Sequence, residues 1–140
     1  MRVVADTNTV VSGLLWQGAP HQLLLAARSG VLDLYTSATL LIELEDVLVR
    51  AKFAERLSKA RVTAHDLVLG YAALARLVKP APIDPVILAD PDDDAVLACA
   101  ATCKAEVIVS GDSHLLNLKR YASIPIVTAE ALLSRVTQVR

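Results

Sequence analysis

Residues 3–8 read Val3-Val4-Ala5-Asp6-Thr7-Asn8, a short apolar run followed by an acid and two further polar residues. Consecutive apolar residues without alternation are typical of a strand that is buried on both faces, as in a parallel sheet. The next segment, Thr9–Trp16, is apolar and ends near a Gly-Ala-Pro turn, which favours a short helix. The opening therefore predicts a buried strand and then a helix, with Asp6 at the carboxyl end of the strand.

The same alternation of strand and helix continues along the chain. Three further strands are predicted over Leu32–Thr36, Val107–Ser110 and Ile126–Val127, and a loop or short extended segment over Pro85–Pro91. The predicted helices span His21–Ser29, Ala38–Arg50 after an N-cap at Ser37, Lys52–Leu57, a helix from Thr63 to about Leu77, Asp94–Thr102, His114–Leu118 and a last helix capped by Thr128. This order implies βαβ units and a parallel sheet with helices on both faces. We therefore predict one α/β domain over residues 1–140.

The composition restricts the function classes that fit. Hydrophobic residues make up 54% of the 140 residues and charged residues 21%, which excludes a disordered chain and favours a large aliphatic core. The net charge of −1 means that the chain as a whole does not attract nucleic acid. A phosphodiester substrate would therefore need a local basic patch or a cation. Aromatic residues are only 4%, so base-stacking platforms are not obvious.

The cysteine pattern and the absence of long apolar runs indicate a cellular location. Cys99 and Cys103 have a spacing that suits one face of a helix, and we interpret them as reduced core residues rather than metal ligands or a redox sensor. The chain shows no signal-peptide pattern and no apolar run of about 18 residues. We expect a cytoplasmic protein that does not enter a membrane.

Four acids occur in four separate segments: Asp6, Glu43, Asp94 and Asp112. Because ligands of open α/β sheets lie outside the carboxyl ends of the strands, these acids can converge on one pocket. Carboxylates that gather in a pocket repel one another unless a cation joins them, and Mg²⁺ or Mn²⁺ prefers oxygen ligands. The pattern predicts metal-assisted hydrolysis of a phosphodiester. Asp6, Glu43 and Asp94 would hold the first cation, while Asp112 would complete that site or help to hold a second.

Each of these acids also has a simpler interpretation when it is taken singly. Glu43 alone would be a solvated helix residue, and Asp112 would be a turn residue. Two neighbouring polar residues, Asn8 and Ser110, either orient a carboxylate or a phosphate or merely cap the next helices. The prediction therefore depends on the four acids lying at equivalent positions of one architecture.

A basic stretch follows the helix that carries Glu43. Its members are Arg50, Lys52, Arg56, Lys59 and Arg61. One hypothesis is that Arg50, Lys52 and Arg56 guide a phosphate backbone towards the acids, and the alternative is a solvated helix face. Two further residues are open at this stage: His114 is either structural or a substrate contact, and Trp16 belongs either to the core or to an interface.

Taken together, the acidic motifs resemble those of the PIN-domain family. The matching segments are Asp6-Thr7-Asn8, Leu41-Ile42-Glu43-Leu44, Asp90-Pro91-Asp92-Asp93-Asp94 and Ser110-Gly111-Asp112-Ser113-His114-Leu115-Leu116, and the similarity extends from Arg2 to about Leu133. Within this family, the chain most resembles the VapC-like toxin components of bacterial toxin–antitoxin pairs. The resemblance implies a Rossmann-like three-layer α/β/α sandwich and Mg²⁺- or Mn²⁺-dependent endoribonuclease activity on RNA. It also implies a homodimer and a cognate antitoxin protein.

The resemblance assigns the four acids of the family to positions in this chain. The first acid corresponds to Asp6, the second to Glu43 and the fourth to Asp112. The third corresponds to Asp94 or to Asp93, and we prefer Asp94 because the apolar helix residues follow it directly.

Other enzyme classes that place an acid after a first strand fit less well. Aspartyl-phosphate phosphatases need a second acid two residues later, where this chain has Asn8. Receiver domains need an acid at the end of a middle strand, but Asp33 lies inside a predicted strand. A non-catalytic module that binds RNA or protein, and a nuclease that acts on DNA, remain alternatives at this stage.

Overall fold

The structure is a computed structural model that describes residues 1–86 and 91–138. The strands are β1 (Arg2–Ala5), β2 (Asp33–Thr36), β3 (Arg76–Leu77), β4 (Val107–Val109), β5 (Arg120–Tyr121) and β6 (Ile124–Val127). The helices are α1 (Thr7–Leu15), α2 (Ala19–Arg28), α3 (Ala38–Leu48), α4 (Ala54–Ala60), α5 (Ala64–Leu74), α6 (Pro91–Cys103), α7 (Ser113–Leu118) and α8 (Ala129–Gln138), with a 3₁₀ turn at Ala51–Phe53 before α4.

The strands form one sheet in the order β3-β2-β1-β4-β6-β5. Every neighbouring pair is parallel except β5 and β6, which are antiparallel. Val4 in the middle of β1 pairs with Tyr35 of β2 on one side and with Ile108 of β4 on the other. The chain therefore runs outwards in one direction from β1 to β3 and in the other from β4, which makes the gap between β1 and β4 the point where the strand order reverses.

Successive residues of β1 pack into two different cores. Val3 and Ala5 lie in a cluster with α1, α2, α3, α5 and α8, whereas Val4 lies in a second cluster with α6 and α7. Ile108 of β4 also belongs to the second cluster. Because side chains alternate across a strand, the continuous apolar runs supply both faces of the sheet. The predicted α/β/α sandwich is confirmed, and its sheet is mostly rather than wholly parallel.

Several predicted ends differ from the observed ones. The helix after Thr63 ends at Leu74 instead of near Leu77, because Ala75 is extended and Arg76–Leu77 pairs with β2 as strand β3. The helix predicted over Lys52–Leu57 is a 3₁₀ turn followed by α4, which runs to Ala60. Of the loop predicted before Pro91, positions 87–90 lie outside the described residues. Helix α6 already begins at Pro91.

The predicted caps and core cysteine are present. The side chains of Ser37 and Thr128 accept backbone N–H groups in the first turns of α3 and α8, and Thr63 forms a capping box with Asp66. Burial raises the pKa of the Cys99 thiol to about 12, so this side chain is neutral at physiological pH and acts as a core residue. No helix within the described ranges is long and apolar enough to cross a bilayer.

Gly13 permits the close approach of α1 and α2. A Cβ atom at Gly13 would lie 2.8 Å from Cδ1 of Leu24 and 2.8 Å from the backbone oxygen of Pro20. We expect Gly13→Ala to lower the free energy of unfolding by about 1–3 kcal/mol, because the overpacked helices must separate. Urea unfolding of both variants tests this, with Gly70→Ala as the control. A Cβ at Gly70 meets nothing within 4 Å, so that variant should be up to about 1 kcal/mol more stable through helix propensity.

Candidate active site

Two acids flank the point where the strand order reverses. Asp6 directly follows β1, and Asp112 lies three residues after the end of β4. Ala5 pairs with Val109, and the Asp6 backbone N–H donates to the Val109 carbonyl at 3.0 Å. The sheet therefore delivers both acids to its carboxyl edge, where α/β proteins bind their ligands.

Asp6 is buried and is held by two hydrogen bonds. It is 4% exposed, and its Oδ1 caps α1 by accepting the Thr9 backbone N–H at 2.9 Å. Its Oδ2 accepts a hydrogen bond from the Ser110 hydroxyl, and Ser110 is itself 1% exposed. Because both carboxylate oxygens are positioned, the Asp6 side chain has a single orientation before any ligand binds.

Ser110 connects the two acids. Its hydroxyl donates to Asp6 and also accepts the Asp112 backbone N–H at 2.9 Å. Of the two interpretations of Ser110, helix capping does not apply here, since Asp112 is the N-cap of α7. Asn8 does not cap α1 either, because Asp6 does, and Asn8 is exposed in the first turn beside it. Ser110 thus orients the Asp6 carboxylate, whereas the Asn8 side chain is exposed.

Asp93, Asp112 and His114 form a group that fits a metal ion. One ligand atom from each lies within 4.8 Å of the other two. Ligands of an octahedral ion at 2.0–2.1 Å are about 4.2 Å apart when opposite and about 2.9 Å apart when adjacent, so the three side chains would have to move closer, by up to about an ångström each, to share one ion. Asp93 is 7% exposed, and Asp112 also accepts the His114 backbone N–H at 2.7 Å. Two carboxylates and an imidazole are a donor set that can hold a divalent cation.

Asp94, which the sequence favours as the third acid, faces another part of the chain. Both of its carboxylate oxygens accept the backbone N–H of Val86, at 3.2 and 3.3 Å. Neighbouring residues of a helix point about 100° apart, so the side chains of Asp93 and Asp94 leave α6 in different directions. The metal-sized group contains Asp93 and not Asp94.

Glu43 lies on the helix that begins at the same edge of the sheet, but outside this group. It is half-buried on α3, which begins at Ser37 directly after β2, the neighbour of β1. Its carboxylate is not one of the three that meet within 4.8 Å. The structure therefore brings Asp93, Asp112 and His114 together, connects Asp6 through Ser110 to the Asp112 backbone, and puts Glu43 on the helix that follows the neighbouring strand.

The basic stretch lies at the other end of α1. The Arg56 Nε donates to the Leu15 carbonyl at 2.6 Å, at the last residue of the helix that Asp6 caps. A helix of nine residues is about 14 Å long, which separates Arg56 from the acids. The guanidinium of Arg56 lies 5.3 Å from the ring centroid of Trp16, and Lys52 lies 5.0 Å from that of Phe53. Arg50 precedes the 3₁₀ turn in the same exposed stretch.

His114, for which the sequence leaves open a structural role or a substrate contact, is the residue of the group that the sequence does not assign to a metal. Its only signal is the short spacing to Asp112, since an N-cap acid and the residue two positions later share the first turn of a helix. The side-chain approach of 3.7 Å between Asp112 Oδ1 and His114 Nδ1 depends on rotamers that a sequence does not specify.

The fold is that of an α/β protein, and a group of acidic residues that could hold a metal ion lies at the carboxyl edge of the sheet, where the strand order reverses. Residues 2–114, which include every acid discussed above, match the model of the PIN domain, so the chain belongs to the PIN-domain family. PIN domains form a nuclease superfamily of hydrolases that use divalent metal ions, and a nucleic acid is therefore the expected class of substrate. No curated protein matches the chain.

Proposed function

We propose that this protein is a metal-dependent endoribonuclease that hydrolyses phosphodiester bonds of RNA. The observation that supports it most directly is the chain of contacts from Asp6 through Ser110 to Asp112, beside the group of Asp93, Asp112 and His114. Mg²⁺ or Mn²⁺ bound there would supply Lewis-acid stabilisation of the phosphate and a water of lowered pKa. Asp93, Asp112 and His114 would hold the cation together with Asp6.

The residues of the chain contribute orientation and charge. Ser110 keeps Asp6 and the Asp112 backbone in register, so the acids need little rearrangement when substrate arrives. Glu43 approaches from α3 and is proposed to hold a second cation or a water at the same edge. Asn8, which is exposed beside Asp6, would donate its amide N–H to a phosphate oxygen.

The motif set resembles that of toxins from toxin–antitoxin pairs, and on that ground we propose a cytoplasmic toxin that acts as a homodimer and is neutralised by a cognate antitoxin. Sequencing the new 5′ ends of cellular RNA after expression of the wild-type protein and of Asp6→Asn tests this role. Ends that appear only with the wild-type protein would identify the target.

The activity has a direct biochemical test. Labelled single-stranded RNA and DNA of the same sequence are incubated with the protein and Mg²⁺, Mn²⁺ or EDTA. We expect internal cleavage of RNA with either ion, at least as fast with Mn²⁺ because His114 adds a nitrogen donor, and none with EDTA. Cleavage of DNA at an equal rate would replace the ribonuclease assignment, and cleavage in EDTA would remove the metal from the proposal.

A further inference from the structure

We propose that Trp16, Arg56 and the groove beside them form a subsite for an unpaired nucleobase and its phosphate. The subsite lies at the end of α1 opposite the acids, and its ligand is single-stranded RNA. The inference rests on the proposed nuclease function, since it assumes that the strand bound here is the one that reaches the acids. It also specifies that the RNA is single-stranded, because a base must be unstacked to enter such a site.

The aromatic part of the subsite is exposed but held firmly. Trp16 is 43% exposed, and the ring of Phe53 meets it edge-on with the ring centroids 5.9 Å apart. The Trp16 backbone N–H donates to Ser12 at 3.0 Å, and Arg56 both approaches the indole ring and hydrogen-bonds to Leu15. An exposed ring fixed in this way loses little conformational entropy when a base stacks on it. The charge on Arg56 would add a cation–π contribution.

The segment next to the Trp16 ring carries a net positive charge, whereas the whole chain carries a net negative one. Residues 50–61 contain five of the 14 basic residues and one of the 15 acidic residues, although the chain carries a net charge of −1. The acid, Glu55, pairs with Lys59 at 3.0 Å, and both side chains are largely exposed. The surface next to Trp16 is therefore complementary to a phosphate backbone, which supplies the affinity of non-specific nucleic-acid binding.

A groove of about 460 Å³ is lined in part by Arg56, whose guanidinium lies 5.3 Å from the ring centroid of Trp16. Its apolar wall is made by Leu14, Leu15, Val62 and Leu67, and its basic residues are Arg56 and Lys59. A base can lie against the apolar wall while the basic side chains contact its phosphate. The excess of basic residues in this stretch favours a polyanion such as RNA over a protein partner.

Helix α1 sets the distance between this subsite and the acids. Its length of about 14 Å corresponds to about four nucleotides at the stacked rise of 3.4 Å, and to fewer in an extended strand. A single strand can therefore stack one base on Trp16 and present a phosphodiester a few nucleotides away to the Asp6 end of the helix.

Because Trp16 is the only tryptophan in the sequence, its fluorescence reports directly on this subsite. The titration uses Asp6→Asn protein in EDTA and an oligouridylate RNA of about 12 nucleotides, within the usual range of single-strand site sizes. We expect RNA to quench the emission. An abasic strand of equal length and charge should bind through its phosphates with little quenching, and duplex RNA should not quench.

Variants separate stacking from charge when binding is measured by the anisotropy of labelled RNA. Trp16→Leu should weaken binding roughly 5- to 150-fold, the range expected for losing one base–aromatic stack. Trp16→Phe should restore most of the affinity. Arg56→Gln should weaken binding and flatten its salt dependence. Its matched control is Arg135→Gln, which removes an exposed arginine of α8 and should leave both binding and stability unchanged.

Two outcomes would overturn the subsite. Equal quenching by abasic RNA and by RNA would show that no base stacks on Trp16. A change of emission with protein concentration alone, matched by dimer formation in gel filtration, would assign the surface to a second copy of this chain. Both measurements are made without metal and without turnover, so failure of the nuclease assay leaves them interpretable, and their failure leaves the proposed activity standing.

Discussion

Asp6→Asn should lower the rate of RNA cleavage by about 10²- to 10⁴-fold. The variant removes one negative ligand from the proposed cation site, and the stabilisation that such a cation supplies amounts to several kcal/mol, at 1.36 kcal/mol for each factor of ten. The substitution changes one atom, so the loss of rate has to come from charge and coordination rather than from shape.

The fold should tolerate this change. The remaining amide oxygen of Asn can still accept the Thr9 N–H and cap α1, and asparagine is as good an N-cap as aspartate. The Ser110 hydroxyl, which donates to Asp6 in the wild type, can instead accept from the new amide N–H. We expect the free energy of unfolding to change by no more than about 1 kcal/mol.

Single-turnover cleavage of labelled RNA with Mg²⁺ or Mn²⁺ measures the rate, and thermal unfolding measures the stability. Asp46→Asn is the matched control, because it makes the same chemical change at an exposed position of α3. That variant should cleave at the wild-type rate. If Asp6→Asn stays within tenfold of the wild type while it remains folded, Asp6 is not part of the reacting centre.

The strands and the end-of-strand acids could be predicted because their signal is local. Val3 and Val4 are apolar in succession, and the structure shows that each faces a different core. An acid that directly follows such a strand has to lie at the carboxyl edge, which located Asp6. Asp112 was located in the same way from Val107–Ser110.

Features that depend on side-chain direction or on distant contacts could not be predicted. Strand β3 consists of two exposed residues, Arg76 and Leu77, and carries no hydrophobic pattern. The contact between Trp16 and Arg56 joins positions 40 residues apart, so no local pattern indicates it. The low aromatic content made a base-stacking surface look absent, but one well-placed tryptophan can serve as a stacking surface in a chain that is poor in aromatics.

The assignment of the third acid depends on the rotation of α6. Three consecutive acids, Asp92 to Asp94, occur near its start, and the sequence does not state which of them faces the sheet edge. The apolar residues that follow suggested Asp94. In the structure, however, the Asp94 carboxylate accepts the Val86 N–H, and Asp93 lies beside Asp112 and His114. A rotation of one residue about the helix axis is enough to exchange the two roles.

Asp93→Asn and Asp94→Asn should therefore differ most in their response to metal. A ligand present at 100 times its Kd stabilises a folded protein by about 2.7 kcal/mol, which for a chain of this size raises Tm by roughly 5–11 °C. We expect Mn²⁺ to produce this rise in the wild type and in Asp94→Asn, but to produce little of it in Asp93→Asn. Cleavage should fall by at least about 10²-fold in Asp93→Asn and stay within tenfold in Asp94→Asn.

The Tm measured in EDTA is a second, independent test of whether Asp93 is the third acid. Asp93 and Asp112 place like charges close together, and their repulsion in the absence of metal opposes folding. Asp93→Asn removes that repulsion, so its Tm in EDTA should equal or exceed that of the wild type even though its response to Mn²⁺ is lost. A general structural role for Asp93 would lower Tm under both conditions. If Asp94→Asn loses the Mn²⁺ response instead, the third acid is Asp94, and the cation is bound on the side of α6 that faces Val86.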